Sequence, residues 1–343
     1  MARQAFIMGG TGQIGRAVGS RLSQEGWHVT FASRGGEIPE GITGPGLKGA
    51  SFDRDQPGAI AQAIGSGADA VIDTVAYNER HAEQLLEIQT VVNHFVVISS
   101  SSVYRDDAGR TLDEARENGF PHFRERITEE QPTVEPGGKT YSTRKVALER
   151  RLFQHSRSPV AVLRPGAIYG THSTHPREWW FVKRMLDDRR TIPLRFDGQS
   201  RFHATAAANI AEAAVRALAR PVDLVLNVAD PTAPTVSEIG GHIADAMAWS
   251  GTFVRIGPDE CAENPSVGGT PWSIPAPFIL DTSAAEAIGY KAVTDHAHSA
   301  AEICAWLRSS SDDDWQERFP VLASYPIPLF DYEAEDAALR RSG

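Results

Sequence analysis

The chain has 343 residues, 41% of them hydrophobic, with 34 Lys or Arg against 44 Asp or Glu and a formal net charge of −10. Such a length buries a large core, in one large domain plus a smaller lobe. The acidic balance, with no Lys/Arg block, argues against a nucleic-acid or anionic-membrane surface and leaves small molecules as partners.

No 18-residue apolar stretch and no charged-then-apolar leader occurs, so no membrane span is expected and the compartment reads as cytoplasmic. The two cysteines, Cys261 and Cys304, lack metal-ligand spacing. They read as structural thiols in a reducing compartment, a disulfide between them being the minor alternative, and no metal site is expected.

Ala5 to Met8 form an apolar run too short for a helix and fit for a strand buried on both faces. Gly9, Gly12 and Gly15 follow, and then Ile14, Val18 and Leu22 recur every four residues, predicting an amphipathic helix over 13–25. Strand, glycine turn and helix in that order predict a dinucleotide site. One glycine permits the turn, one lets backbone approach a pyrophosphate, and one lets helix and strand pack closely. Thr11, Gln13 and Ile14 complete the phosphate-facing turn, where free backbone N–H groups start the helix.

His28 to Ala32 predict the second strand, ending at Ser33 and Arg34. In this fold an acid about 20 positions beyond the turn grips the ribose 2′-hydroxyl, whereas an arginine accommodates a 2′-phosphate. Ser33 stands in the acid's place with Arg34 beside it, so NADP is expected over NAD. A solvated surface arginine is the alternative reading. Residues 35–50, rich in Gly and Pro, read as loop leading through Ser51 and Phe52 to Asp53. A helix over 59–64, a strand within 69–76, a helix near 80–89 and a strand over 95–98 continue the alternation, which predicts a doubly wound parallel sheet. Val75 and Ala76 would pass beside the cofactor.

The strand over 95–98 runs into SSSSVY, residues 99–104, with Ser100 four before Tyr104. Tyr141 and Lys145 then spell YxxxK at the head of a helical pattern continued by Val146, Leu148 and Leu152. On a helix, positions i and i+4 share a face, so phenol and ammonium can act on one small volume. Alone, such a pair is most often a solvated face. Its place after the glycine turn and the serine-ended strand is what makes it informative.

With Gly9, Gly12, Gly15, Asp53, Ser100, Tyr141, Lys145 and RPGAIYG at 164–170, the sequence resembles the extended short-chain dehydrogenase/reductases, in the NAD-dependent epimerase/dehydratase group. The resemblance implies an α/β fold: a Rossmann-type doubly wound parallel sheet with a smaller C-terminal substrate lobe over the cofactor's open edge. It places the nucleotide domain at 1–170, with 199–230 returning to it, and the lobe at 171–198 and 231–343. Asp53 would accept from the adenine amino group, and Pro165 and Gly166 would lie against the nicotinamide. Lys145 would hold the nicotinamide ribose and lower the phenol's pKa, while Ser100 and Tyr141 hydrogen-bond the substrate oxygen. A free phenol ionises near pH 10, so proton transfer at neutral pH needs such help.

Residues 105–136, charged and Pro-containing, are longer than an ordinary connection and read as a surface excursion rather than a flap. Residues 171–183, THSTHPREWWFVK, are expected to face the substrate through His172, Arg177 and one of Trp179 and Trp180, since adjacent residues cannot share a helical face. Ser101 is expected beside them. In sugar-nucleotide members an Arg after a DG turn grips the diphosphate. Counting from Asp197 and Gly198, that position is Phe202, and Arg201 comes one residue early, on the opposite face of an extended segment unless a bulge restores it. Ser101 and Ser102 stand where family dehydratases carry an Asp-Glu pair, which weighs against dehydration. Helices over 236–248 and 297–307, a strand over 253–256, a sugar-side segment at 280–290 and a solvated turn at 312–314 complete the lobe.

Three functions remain open at this level. The first is an NADP(H)-dependent oxidoreductase transferring hydride to or from a ketone or secondary alcohol of a small metabolite. The second is a sugar-nucleotide epimerase that retains its cofactor, and the third a non-catalytic nucleotide-binding regulator. A homodimer is compatible with each, and the fold alone does not choose.

Overall fold

The computed structural model describes residues 2–257, 264, 266–309 and 314–342. The chain divides into two compact units, Met1–Gly166 with Ala207–Ala229 and Leu280–Val293, and Ala167–Ala206 with Asp230–Ile279 and Thr294–Gly343.

The first unit is built on a seven-stranded parallel sheet: β1 (Gln4–Met8), β2 (His28–Ser33), β3 (Leu47–Ser51), β4 (Ala70–Asp73), β5 (Phe95–Ile98), β6 (Val160–Pro165) and the strand Leu224–Val228. Their spatial order is Leu224–Val228, β6, β5, β4, β1, β2, β3. The middle strands are largely apolar because both faces are covered, and every residue of β4, β5 and β6 is buried, the charged Asp73 and Arg164 included. Helices α1 (Gln13–Gln24), α2 (Ala59–Ile64), α3 (Glu79–Glu87) and α5 (Tyr141–His155), the short α4 (Ala115–Asn118) lying between the last two, join the helix Ala207–Leu218 to flank the sheet. α1 packs on Ala207–Leu218 and α3 on α5. Strand order reverses between β1 and β4, so the crevice at their carboxyl ends is where this architecture receives a ligand.

The structure departs from the sequence-based expectations in three places within this unit. Leu47–Ser51 is a strand inside the stretch expected to be loop. It sits at the sheet edge, half-exposed, so Leu47 is its one large apolar residue and period-two alternation is too weak to register. Residues 280–293, expected in the lobe, belong here: Asp281 N donates to Ile127 O at 2.9 Å, and Tyr290 OH to Ala229 O at 2.8 Å. Residues 105–136 are not a free excursion. Tyr104 pairs with Thr133 and Ile127 with Leu280, while Asn227 donates from its backbone to Glu129 at 2.6 Å and from its side chain to Ile127 O at 2.8 Å.

The second unit holds two small parallel pairs, Thr191–Arg195 with Thr252–Ile256 and Ala167–Tyr169 with Ala204–Ala206. Residues 167–170 and 199–206, expected in the nucleotide domain, thus pair within this unit, apart from Gly166 and what precedes it. Around the pairs lie helices Trp179–Leu186, Val236–Met247 and His296–Arg308, with three helices after residue 314 that periodicity did not signal. Its core is aromatic, centred on Trp179, Trp180, Phe181, Trp272 and Phe319. Cys304 is a free buried thiol, and burial pushes it up to about 12. Cys261 lies outside the described residues, as do Asp312 and Asp313. Asp314 caps the helix Trp315–Arg318 by accepting from Gln316 N at 2.9 Å. Among the described residues no helix is long and apolar enough to cross a membrane.

Candidate active site

The glycine turn connects β1 to α1 as the spacing requires. Gly9 has φ +77°, and a Cβ there would meet Thr74 Oγ1 at 2.4 Å. A Cβ on Gly15 would stand 2.3 Å from Gly9 O, so only glycine lets α1 start this close to the turn. Three features fit this turn to a pyrophosphate. No side chain caps the N-terminus of α1, no acid lies in its first turn, and Gln13 Nε2 is buried without a hydrogen-bond partner among the described residues. Thr11 is exposed and Ile14 half-buried beside it.

At the end of β2, Ser33 Oγ accepts from Gly36 N at 3.1 Å, which closes a turn. Arg34 is exposed and forms no ion pair among the described residues. Asp53, also exposed, uses Oδ1 to accept from Asp55 N at 3.0 Å, an Asx turn that leaves its second oxygen uncommitted. The neighbouring Arg54, passed over in the sequence, does more. It donates to Asp73 Oδ1 at 3.1 Å and Val75 O at 3.0 Å, and so shapes the backbone after β4 that carries Val75 and Ala76.

Ser100, Tyr141 and Lys145 come together at the carboxyl ends of β4 and β5. The helix that carries two of them begins in a reciprocal cap, Thr143 N donating to Thr140 Oγ1 at 3.2 Å and Thr140 N to Thr143 Oγ1 at 2.9 Å. That cap fixes Tyr141 as the first helical residue. One turn on, Lys145 is 2% exposed, and its ammonium donates to Ala76 O at 2.5 Å and Ile98 O at 2.9 Å, joining the ends of the two strands. Burial lowers the Lys145 pKa to about 8, opposed by the charges of Asp73 and Glu149. One turn further, Glu149 is gripped by Arg164 through two hydrogen bonds of 3.1 and 2.5 Å and receives the Ser99 hydroxyl.

The phenol itself differs from expectation. Tyr141 is pushed up to about 12, first by burial and then by Tyr77 and Asp113, against a hydrogen bond from Ser100 and the charge of Arg144. The Lys145 ammonium lies 5.5 Å from the centre of the Tyr141 ring and 4.9 Å from that of Tyr77. Burial therefore sets the direction of the shift in the protein by itself. Tyr77, 46% exposed with its ring 6.5 Å from that of Tyr141, is a site residue the sequence did not mark. A lone tyrosine a few residues beyond a strand carries no pattern.

Ser101 is buried at the turn after β5. Pro165 closes β6, and Gly166 N donates to Val228 O at 3.3 Å. The remaining substrate-side residues lie in the second unit and are committed to it. Trp179 and Trp180 are both core residues, 3% and 0% exposed, so neither lines a pocket there. An all-round apolar helix end in an aromatic core accepts both faces. Arg177 donates to Ile168 O at 2.9 Å and Arg201 to Ala233 O, while His172 is exposed with its ring 6.0 Å from that of Trp306. Among the described residues no group of His, Cys, Asp or Glu is placed to hold a metal ion.

The family model of the NAD dependent epimerase/dehydratase family matches residues 5–229. The chain belongs to that family. It is a nicotinamide-dependent enzyme of the extended short-chain dehydrogenase type. The sequence matches no curated protein. Solved structures with the same fold include the Bordetella bronchiseptica enzyme WbmH in complex with NAD+, 17% identical with a TM-score of 0.68 over 90% of this chain and 99% of that one. A UDP-N-acetylglucosamine 4-epimerase from Methanobrevibacter ruminantium, in complex with UDP-N-acetylmuramic acid, aligns with the same identity, TM-score and coverage. A UDP-glucuronic acid 4-epimerase from Bacillus cereus, in complex with UDP-glucuronic acid and NAD, is 16% identical with a TM-score of 0.64 over 89% of this chain and 99% of that one.

Proposed function

We propose that this family member is an epimerase of a sugar nucleotide that keeps its nicotinamide cofactor, NAD, through the catalytic cycle. The observation that carries the reading is the convergence of Ser100, Tyr141 and Lys145, with Lys145 held by two carbonyls at the ends of β4 and β5. Its sugar-nucleotide and NAD components draw support from the complexes described for the 4-epimerases of the same fold. When bound, the nicotinamide supplies a reversible hydride acceptor. Ser100 donates to the oxygen of the reacting secondary alcohol, Tyr141 takes its proton as the carbon is oxidised, and the same phenol returns it to the ketone. Lys145, with three donors of which two are spent on Ala76 and Ile98, keeps one for the ribose.

The test is direct. Purified protein is examined for bound dinucleotide, then given UDP-glucose, UDP-N-acetylglucosamine and UDP-glucuronic acid without added cofactor, and epimers are sought by NMR. Retained NAD with formation of a 4-epimer is expected, and an empty protein inert to all three defeats the reading. A second reading, an NADP(H)-dependent reductase of a small ketone, is favoured by Arg34 standing free beside Ser33 and by Arg201 being spent on Ala233 O. Saturable NADPH oxidation with a ketone panel would select it. The intact Ser100, Tyr141 and Lys145 weigh against a non-catalytic regulator.

A further inference from the structure

Behind Ser100 stand two more hydroxyls. Ser102 Oγ is 3.0 Å from Ser100 Oγ, and Ser102 N donates to the same Ser100 oxygen at 3.1 Å. Ser142, next in sequence to the phenol and fully buried, has two acceptors for its single proton: Ser102 Oγ at 2.8 Å and Ser102 O at 2.9 Å. On its other side Ser142 N donates to Asp113 Oδ2 at 2.7 Å, a carboxylate delivered by residues 105–136, so the serine is held from both flanks.

In the site without substrate, whose oxygen would otherwise take the Ser100 proton, counting protons leaves two complete arrangements, since a hydroxyl has one proton to give and two lone pairs to fill. In the first, Tyr141 donates to Ser100, Ser100 to Ser102, Ser102 to Ser142, and Ser142 to the Ser102 carbonyl. This suits a neutral phenol. In the second, Ser142 turns its proton onto Ser102 Oγ, and Ser102 turns onto Ser100. Both lone pairs of Ser100 are then filled, by Ser102 O–H and N–H, and its one proton points at the Tyr141 oxygen. This suits a phenolate. Only O–H rotation separates the two, and the two acceptors of Ser142 are its end stops.

We propose that Ser142, Ser102 and Ser100 form a hydroxyl relay that reverses direction as Tyr141 gives up and regains its proton, making Ser142 and Ser102 positioning residues of the site. The inference rests on the reading above in taking Tyr141 as the proton-transfer group. The other groups facing the phenol are Tyr77 and Asp113, which oppose its ionisation, Arg144, which favours it, and the Lys145 ammonium 5.5 Å from the ring centre. None of these is a member of the hydroxyl chain that runs from buried Ser142 through the half-buried Ser102 and Ser100, so the relay is the element that re-aims toward the phenol without moving net charge.

The test follows Tyr141 rather than turnover. The protein is made with 3-fluorotyrosine, which lowers every phenol's midpoint, saturated with NAD+, and titrated by fluorine NMR, the Tyr141 signal being assigned by its loss in Tyr141→Phe. Ser142→Ala and Ser102→Ala are each expected to raise the Tyr141 midpoint by about one pH unit, with the double variant no higher than either single. Thermal melting verifies that each variant is folded. An unchanged midpoint in folded Ser142→Ala overturns the relay, and so do single effects that simply add, because a broken chain has nothing left to lose. The readout needs no substrate. Failure of the sugar-nucleotide panel and failure of the relay are therefore separate results.

Discussion

Along α5 of the first unit, each buried charge meets a partner: Lys145 has two carbonyls, and Glu149 has Arg164 and Ser99. In the second unit Glu178 is fully buried, yet among the described residues no other residue hydrogen-bonds either carboxylate oxygen, and His296 stands 3.8 Å away with its Nε2 likewise without a hydrogen-bond partner among them. Burial raises Glu178 to about 7 and lowers His296 to about 3, so the contact is not an ion pair near neutrality. The same unit also holds Arg184 and Glu335, both fully buried and paired at 2.5 Å, with the guanidinium 3.5 Å from the centre of the Trp180 ring. Paired polarity that converges on one helix end builds a site, whereas polarity enclosed by aromatic rings builds a core whose stability depends on pH.

The comparison is broken most sharply at the phenol. Tyr141→Phe should lower turnover roughly 10³-fold with cofactor affinity and melting temperature unchanged, because it removes a proton carrier and no packing. Substantial turnover in that variant would detach the first unit's polar convergence from chemistry. Next in size is Glu335→Ala, which leaves Arg184 buried without its partner and should cost about 3–5 kcal/mol in urea unfolding. A loss below ~1 kcal/mol would place the stabilisation in the Arg184–Trp180 stack instead.

Glu178 sharpens the contrast further. Its folded value lies above the ordinary 4.5, so the folded state binds a proton that the unfolded chain releases. The stability it contributes is full below the unfolded value and is lost as pH rises through about 7. Glu178→Gln should therefore match the parent near pH 4 and gain on it by about 3 kcal/mol at pH 9, read from denaturant curves at both pH values. A pH-independent difference would mean that the carboxyl finds hydration when charged. The smallest effect is at Arg34, where Arg34→Ala should weaken NADP binding roughly tenfold, about 1.4 kcal/mol, with NAD unaffected. Equal losses for the two dinucleotides would remove the case for a 2′-phosphate contact.

Much of the first unit was legible in the sequence because its signals are local. Glycines spaced by three, four-residue apolar runs and a Tyr-Lys pair one helical turn apart each need only a short window, and the strands and helices up to Ile98, apart from Leu47–Ser51, follow that pattern. Arg54, Tyr77, Asp113 and Ser142 were not legible as site residues. Each acts through a partner far along the chain, as Asp113 does on Ser142 across 29 positions, and no periodicity records such a pairing. In the second unit the adjacent tryptophans misled for a related reason: helical geometry separates their faces, but it does not say that both faces are enclosed.

Residue order alone was enough for the class of fold, and it marked the glycine turn and the Ser100, Tyr141 and Lys145 that the fold brings together, since backbone geometry over a few residues leaves those patterns little freedom. Which hydroxyls stand behind Ser100, how far burial moves Tyr141 and Lys145, and which segments return to the sheet depended on three-dimensional packing. Proton affinity and hydrogen-bond direction are set by whatever surrounds a group, and the neighbours of Tyr141 come from four separate stretches of chain.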